Sequence, residues 1–266
     1  MNASDFQEFI WQQGRVLYRD MPWRTDTCPY FVLVSELMLQ QTQVERVIPK
    51  FNAFIERFPD VLSLALAPLA DVIVAWSGLG YNRRAKYLHE IAKQIVAQFG
   101  GVIPSTQAEL VSLPGVGPNT AAAVLAYGFN QPVAFVETNI RTVYFYHFFE
   151  DVASVSDKDL LEVVRTTVDR DHPRQWYWAL MDYGSFLKRS GAGSIDKSAH
   201  YKKQSPLRGS LREVRGQILR ALVGGGITEL DLRTALKADT RFKPALEGLV
   251  RDGMVKNSQG QLHLTK

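Results

Sequence analysis

Residues 113–128 read LPGVGPNTAAAVLAYG. Gly115 and Gly117 predict a tight turn with positive φ and an uncovered backbone. Pro118 suits the first turn of a helix, and Asn119–Phe129 is rich in alanine and other helix formers until Asn130-Gln131-Pro132 stops it. A short helix over Thr106–Ser112 precedes the turn. Uncovered N–H groups at the start of the second helix can hold a phosphate. Such a helix–tight turn–helix unit grips a nucleic acid backbone without reading its bases.

Outward from this unit, residues 1–190 read as mostly helical. Apolar spacing predicts helices over Val32–Gln43, Val61–Trp76, Arg83–Phe99, Thr138–Phe149, Asp157–Asp169 and Pro173–Lys188. Neither a βαβ alternation nor an internal repeat is visible. Residues 189–209 are small, polar and basic and read as a linker. Beyond it, Leu211–Leu222, Glu229–Lys237 and Lys243–Asp252 read as helices, followed by a short hairpin around Asn257–Gly260. Three helices and a β-ribbon over 210–266 resemble a winged-helix module.

The chain has 266 residues, 46% hydrophobic and 22% charged, the balance of a globular protein. Its single cysteine, Cys28, excludes an internal disulfide and any site built from several thiolates. The N-terminus lacks the pattern of a signal peptide, and no apolar run is long enough for a membrane span, so a cytoplasmic, nucleoid-associated protein with no membrane partner is expected. The net charge is only +4, but residues 188–220 hold nine Lys/Arg against Asp196 and Glu213. A basic stretch on a near-neutral body suits a polyanion, although a solvated linker would look similar.

Four motifs in order, PWR at 22–24, SELMLQQTQVERVIPKF at 35–51, WSGLGYNRRAKYL at 76–88 and the 113–128 stretch, resemble the helix–hairpin–helix (HhH-GPD) DNA glycosylase superfamily. Within it they are most similar to A/G-specific adenine glycosylases. The resemblance runs from about Pro22 to about Gly184. It implies a mainly α fold of two helical lobes over 1–188, with the winged-helix-like module as an addition. It also implies a duplex DNA partner carrying a mismatched or damaged base, and a monomer suffices for that task.

Glu36 lies in an apolar helix. A lone Glu there most often faces water, but an apolar pocket would raise its pKa and make it a proton donor. The resemblance gives Glu36 that role, protonating the departing adenine. A second carboxylate is expected to stabilise the cationic sugar left behind. The superfamily has Asp at this place, whereas AFVETNIRTV puts Glu137 there. The extra methylene moves the carboxylate by about 1 Å, which can cost roughly 100-fold in rate unless the pocket compensates. Asn139 matches a residue that orients this carboxylate. Asn119 stands where lyases have Lys; it cannot form an imine, so the reaction is expected to stop at an abasic site. Gln40, Gln41 and Thr42 match residues that fill the gap left by a flipped nucleotide, and Tyr81 matches a wedge between bases. Gly115, Val116, Gly117 and Thr120 match the backbone grip, Arg24 a base-pocket residue, and Lys202 and Lys203 would add phosphate contacts.

Many relatives hold a 4Fe–4S cluster through four cysteines. The corresponding positions fall near Gly191, Ser198, Tyr201 and Leu207, and none is Cys. A clusterless protein without transition metal is therefore expected, with a monovalent cation at the hairpin as in relatives. Residues 210–266 are too short for the nudix-like domain that reads 8-oxoguanine in many adenine glycosylases. Three readings stay open: excision of adenine opposite 8-oxoguanine or guanine, excision of another base such as thymine or uracil opposite guanine, or lesion binding without catalysis.

Overall fold

The computed structural model describes residues 2–192 and 206–265; Ser198, Tyr201, Lys202 and Lys203 lie outside the described residues. The fold is mainly helical, with a small antiparallel sheet. It divides into two compact units. One comprises residues 1–36, 105–112 and 116–203, the other 37–104, 113–115 and 204–266.

The first unit contains α1 (Ala3–Leu17), α2 (Pro22–Thr25), the start of α3 (Pro29–Leu39), α8 (Gln107–Val111), α9 (Pro118–Phe129), α10 (Thr138–Phe148), α11 (Asp157–Thr167) and α12 (Pro173–Arg189). Local side chains start several of these helices. Asn2 Oδ1 accepts the Asp5 N–H at 2.9 Å, and Thr106 and Ser156 cap α8 and α11 in the same way. α12 packs against α1, α9 and α10. Between them lies an aromatic cluster in which Phe6 touches Tyr144, His147, Phe148 and Trp176. The Tyr144 hydroxyl is satisfied by Thr167 Oγ1 at 2.6 Å. Asn130, left-handed at φ 55°, ends α9, and its side chain accepts the Arg174 N–H at the start of α12.

The second unit holds α4 (Val44–Arg57), α5 (Val61–Leu66), α6 (Leu69–Trp76), α7 (Arg83–Phe99), α13 (Leu211–Leu222), α14 (Glu229–Ala235) and α15 (Phe242–Arg251). Its sheet has order β1-β3-β2, from β1 (Ile227–Thr228), β2 (Val255–Ser258) and β3 (Gln261–Leu264), with Ile227 opposite Leu262 and Asn257 opposite Leu262 on the other side. Residues 211–264 thus run helix, strand, helix, helix, strand, strand. Their core is shared with α6: Leu69 and Ile73 pack in one cluster with Ile218, Leu222, Phe242, Leu249 and Leu262.

Several boundaries differ from the sequence expectation. The stretch Val61–Trp76 is two helices, because Pro68 cannot continue the first. Helix α4 is hidden from pattern reading by Pro49, yet its apolar face of Val47, Phe51 and Phe54 is buried. Strand β1 is only two residues long and leaves no periodicity to find. Gly117 is not left-handed: at φ −86° and ψ 170° it is an extended N-cap, the conformation favoured before Pro118. Gly115 is the left-handed residue, at φ 73°. Among the described residues no helix is long and apolar enough to cross a membrane.

Asp252 anchors the C-terminal segment. Its carboxylate accepts from Arg83 Nε and Nη2, both at 2.8 Å, and from Arg215 Nη2 at 2.5 Å, while its carbonyl accepts from Lys86 Nζ at 2.6 Å. Burial works to raise its pKa, but the two arginines outweigh it and hold the group below the usual carboxylate range. Asp252→Ala should lower stability by about 1–3 kcal/mol, checked by urea unfolding, because it leaves Arg215 half-buried without its carboxylate.

Candidate active site

The site builds up from the start of α10. Glu137 is its N-cap, in extended backbone at φ −119°. Its Oε1 accepts the N–H of Asn139 at 2.5 Å and of Ile140 at 2.9 Å. Both bonds fall on Oε1, so neither uses Oε2. The longer side chain of Glu is taken up by this arch back over the helix terminus. That fixes the carboxylate and sets it against the positive end of the helix. Burial raises the pKa of Glu137, and it is opposed by the Ile140 N–H, the Lys188 charge and the Asn139 and Thr138 N–H groups.

Asn139 is held from behind. Its Nδ2 lies 3.8 Å from Met181 Sδ, and its Oδ1 is buried without a hydrogen-bond partner among the described residues. Gly184 on α12 makes this approach possible. A Cβ there would stand 2.2 Å from the Asn139 carbonyl oxygen.

Glu36, on α3, is flanked by buried Val32, Leu33 and Leu37. Its carboxyl is pushed up to about 8, first by burial and then by the charge of Glu137. The two environments pull apart: Glu137 has N–H donors and a lysine, and Glu36 has neither. Burial raises both pKa values, but the groups that favour the charged form act on Glu137 and not on Glu36. Tyr127, on α9 and only 8% exposed, feels both carboxyl groups, and its hydroxyl has no hydrogen-bond partner among the described residues. Burial first, then the charges of Glu36 and Glu137, raise its pKa far above the usual phenol value. Sequence reasoning missed this residue. A tyrosine on a small-residue helix looks like core, and only the fold places it beside the carboxyls.

Arg24 is buried in an ion pair with Asp182, at 2.6 Å from Nη1 and 3.1 Å from Nη2. Its guanidinium lies 5.4 Å from the ring centres of both Tyr18 and Trp178. Its charge acts on the Tyr127 hydroxyl, so it belongs to the surroundings of the site. Asn119 is exposed in the first turn of α9. Val116 is buried and Thr120 partly so.

The remaining motif residues belong to the second unit. Helix α3 ends at Leu39, and Gln41 is left-handed at φ 56°. Arg84, also overlooked in the sequence, closes this helix end. Its Nη1 donates to the carbonyls of Leu37 at 2.6 Å, Met38 at 2.9 Å and Gln40 at 2.7 Å, and its Nη2 donates to Thr42 Oγ1 at 3.2 Å and Gly80 O at 3.1 Å. Burial lowers its pKa to about 10. One arginine thus ties Gln40–Thr42 to the turn carrying Tyr81. The Tyr81 ring lies between two guanidinium groups, Arg84 at 5.4 Å and Arg212 at 4.7 Å, and Arg212 Nη1 donates to its hydroxyl. Gly115 fits under Tyr87, where a Cβ would come within 2.5 Å of the ring.

Residues 34–165 match the HhH-GPD superfamily of base excision DNA repair proteins. An adenine DNA glycosylase of Mycobacterium tuberculosis is 35% identical over 277 residues, covering 96% of this chain and 90% of the relative. The chain belongs to the adenine DNA glycosylase family of this superfamily. Another member, from Buchnera aphidicola, is 35% identical over 170 residues, and the match spans 64% of this chain and about half (48%) of that relative. Among solved structures, a thermostable thymine-DNA glycosylase aligns with a TM-score of 0.63 at 27% identity, over 69% of this chain and 86% of that one. An endonuclease III–DNA covalent intermediate shares the fold, with a TM-score of 0.53 at 18% identity over 77% and 91% of the two chains.

The family's iron–sulfur cluster does not fit this chain. The only cysteine, Cys28, is exposed, and the described residues hold no cluster of His, Cys, Asp or Glu suited to a metal.

Two outcomes follow from the geometry. Gly184→Ala should force α12 away from the start of α10 and cost about 1–3 kcal/mol, read as a lower unfolding midpoint. Glu36 binds its proton more tightly folded than unfolded, so its contribution to stability is full below the ordinary value of 4.5 and is lost as pH rises from there to about 8. Glu36→Gln should therefore gain stability relative to wild type across that window, measured by unfolding at stepped pH.

Proposed function

We propose that the protein is a monofunctional DNA N-glycosylase that removes adenine mispaired with 8-oxoguanine or guanine. The observation that carries this reading is the unequal pair in one part-buried site: Glu36, whose pKa is pushed up to about 8, and Glu137, whose pKa burial also raises but whose carboxylate accepts N–H groups at the start of α10. Glu36 donates its proton to N7 of the flipped adenine. The C1′–N9 bond then breaks with its electron pair going to N9, so the base leaves neutral. The cation developing at the sugar faces the Glu137 carboxylate, which the start of α10 holds in place. Water adds at C1′ and gives its proton to the Glu36 carboxylate, which leaves an abasic site and restores the acid. Asn139 positions Glu137, the Tyr127 hydroxyl is available to the bound nucleoside, and Arg24 borders the pocket. Asn119 offers no amine, which supports release without strand cleavage.

In this reading the partner is duplex DNA. Gln40, Gln41, Thr42 and Tyr81 occupy the space of the flipped base, and Gly115, Val116, Gly117 and Thr120 grip the backbone, with a monovalent cation on the hairpin carbonyls. Lys202 and Lys203 add phosphate contacts from a linker that stands in for the iron–sulfur loop. Residues 210–266 act as a winged-helix-like DNA-binding module, and the protein works without a cluster, as a monomer, in the cytoplasm at the nucleoid. A second reading, thymine opposite guanine, is favoured by the likeness to the thymine-DNA glycosylase structure.

Single-turnover base release from A·8-oxoguanine, A·G, T·G, U·G and matched duplexes tests both. Adenine release, with strand cleavage only after alkali, is expected. The rate should be highest below about 8 and fall above it, because the acid form of Glu36 is required. Glu36→Gln should lower the rate by at least about 100-fold with binding retained. Thymine release alone would overturn the adenine assignment, and no release from any duplex would overturn both readings.

A further inference from the structure

The C-terminal segment builds a basic groove with the turn that carries Tyr81. It has a volume of about 210 Å³ and is lined by Arg46 of α4, by Gly78, Gly80 and Asn82 of the turn, and by Arg212, Gly216 and Arg220 of α13, among others. Arg46 falls in the 35–51 motif and Arg212 and Arg220 in the basic stretch 188–220, but the sequence gives none of them a role of its own.

Three features of this groove converge on an anion. Its arginines come from two distant parts of the chain. Arg46 and Arg220 are exposed and form no ion pair among the described residues. Arg212 is fixed over the Tyr81 ring. The one carboxylate on the wall, Glu213, is turned away to the Gly209 N–H at 2.8 Å and Arg241 Nη1 at 3.2 Å. Secondly, glycines keep the floor open, and Gly78 and Gly80 are left-handed at φ 100° and 73°. Thirdly, among the described residues the N–H groups of Gly78, Gly80 and Asn82 donate to no protein acceptor. Left-handed turns with unsatisfied N–H groups form anion-binding concavities. Lys50 adds a further cation, with Nζ 3.7 Å from where a Gly78 Cβ would stand.

We infer that this groove binds a backbone phosphate of the DNA next to the Tyr81 wedge, and that the C-terminal module supplies half of the site. Arg212 acts as the joint, holding Tyr81 on one side and facing the phosphate on the other. The inference rests on the proposed DNA substrate but not on which base is cut.

The test is the salt dependence of binding to a labelled A·8-oxoguanine duplex, followed by anisotropy. The plot of log Kd against log salt should be shallower by about two for the Arg46→Ala/Arg220→Ala double variant, about one per arginine lost. The Arg46→Lys/Arg220→Lys variant should keep the wild-type slope, since a phosphate accepts either cation. Base release at saturating protein should match wild type in both variants, which also shows that they are folded. A wild-type slope in the alanine variant overturns the inference whether or not base is released. Absence of release from wild type, with the slopes still separated, would sink the activity and leave the groove standing.

Discussion

Two carboxyl groups, Glu36 and Glu137, influence each other in one part-buried site, and their surroundings treat them unequally. The start of α10 sets them apart. N–H groups from Asn139 and Ile140 point at Glu137, and the Lys188 charge adds to them. Glu36 sits among aliphatic side chains with no such donors among the described residues, and burial with the charge of Glu137 pushes its pKa up to about 8. The chemical asymmetry between two identical functional groups comes from a helix terminus and apolar packing.

The same constraint explains how a Glu can stand where the family has Asp. An aspartate caps a helix by reaching the N–H groups directly. Glu137 caps α10 with its longer stem, Oε1 accepting the N–H groups of Asn139 and Ile140. The arch requires α10 to start at one place, and the contact of Gly184 with Asn139 fixes that place.

Much of this was legible in the sequence. The glycine turn at 113–117 and the Glu36 motif carry spacings that few other structures need, and the boundaries of α7 and α13 follow their apolar periods. Other features left no local mark. Tyr127 becomes part of the site only because α9 packs with that face toward both carboxyls. Arg84 looks like one more surface charge at a helix start, yet it closes the end of a helix more than forty residues away in sequence. Gly117 misled because glycine permits positive φ without requiring it, and the proline after it settled the matter. Arg212 lies in a basic stretch whose charge alone does not tell a solvated linker from a contact.

The shared core of the second unit also governs how the chain is made. Leu69 and Ile73 find apolar partners in Ile218, Phe242 and Leu262, far along the sequence. During synthesis that surface waits for these partners until residues 211–264 have left the ribosome. Contacts of such long sequence separation close slowly. The nascent protein thus has a period in which an unfinished half is exposed to chaperones and proteases, and residues 211–264 are the ones that end it.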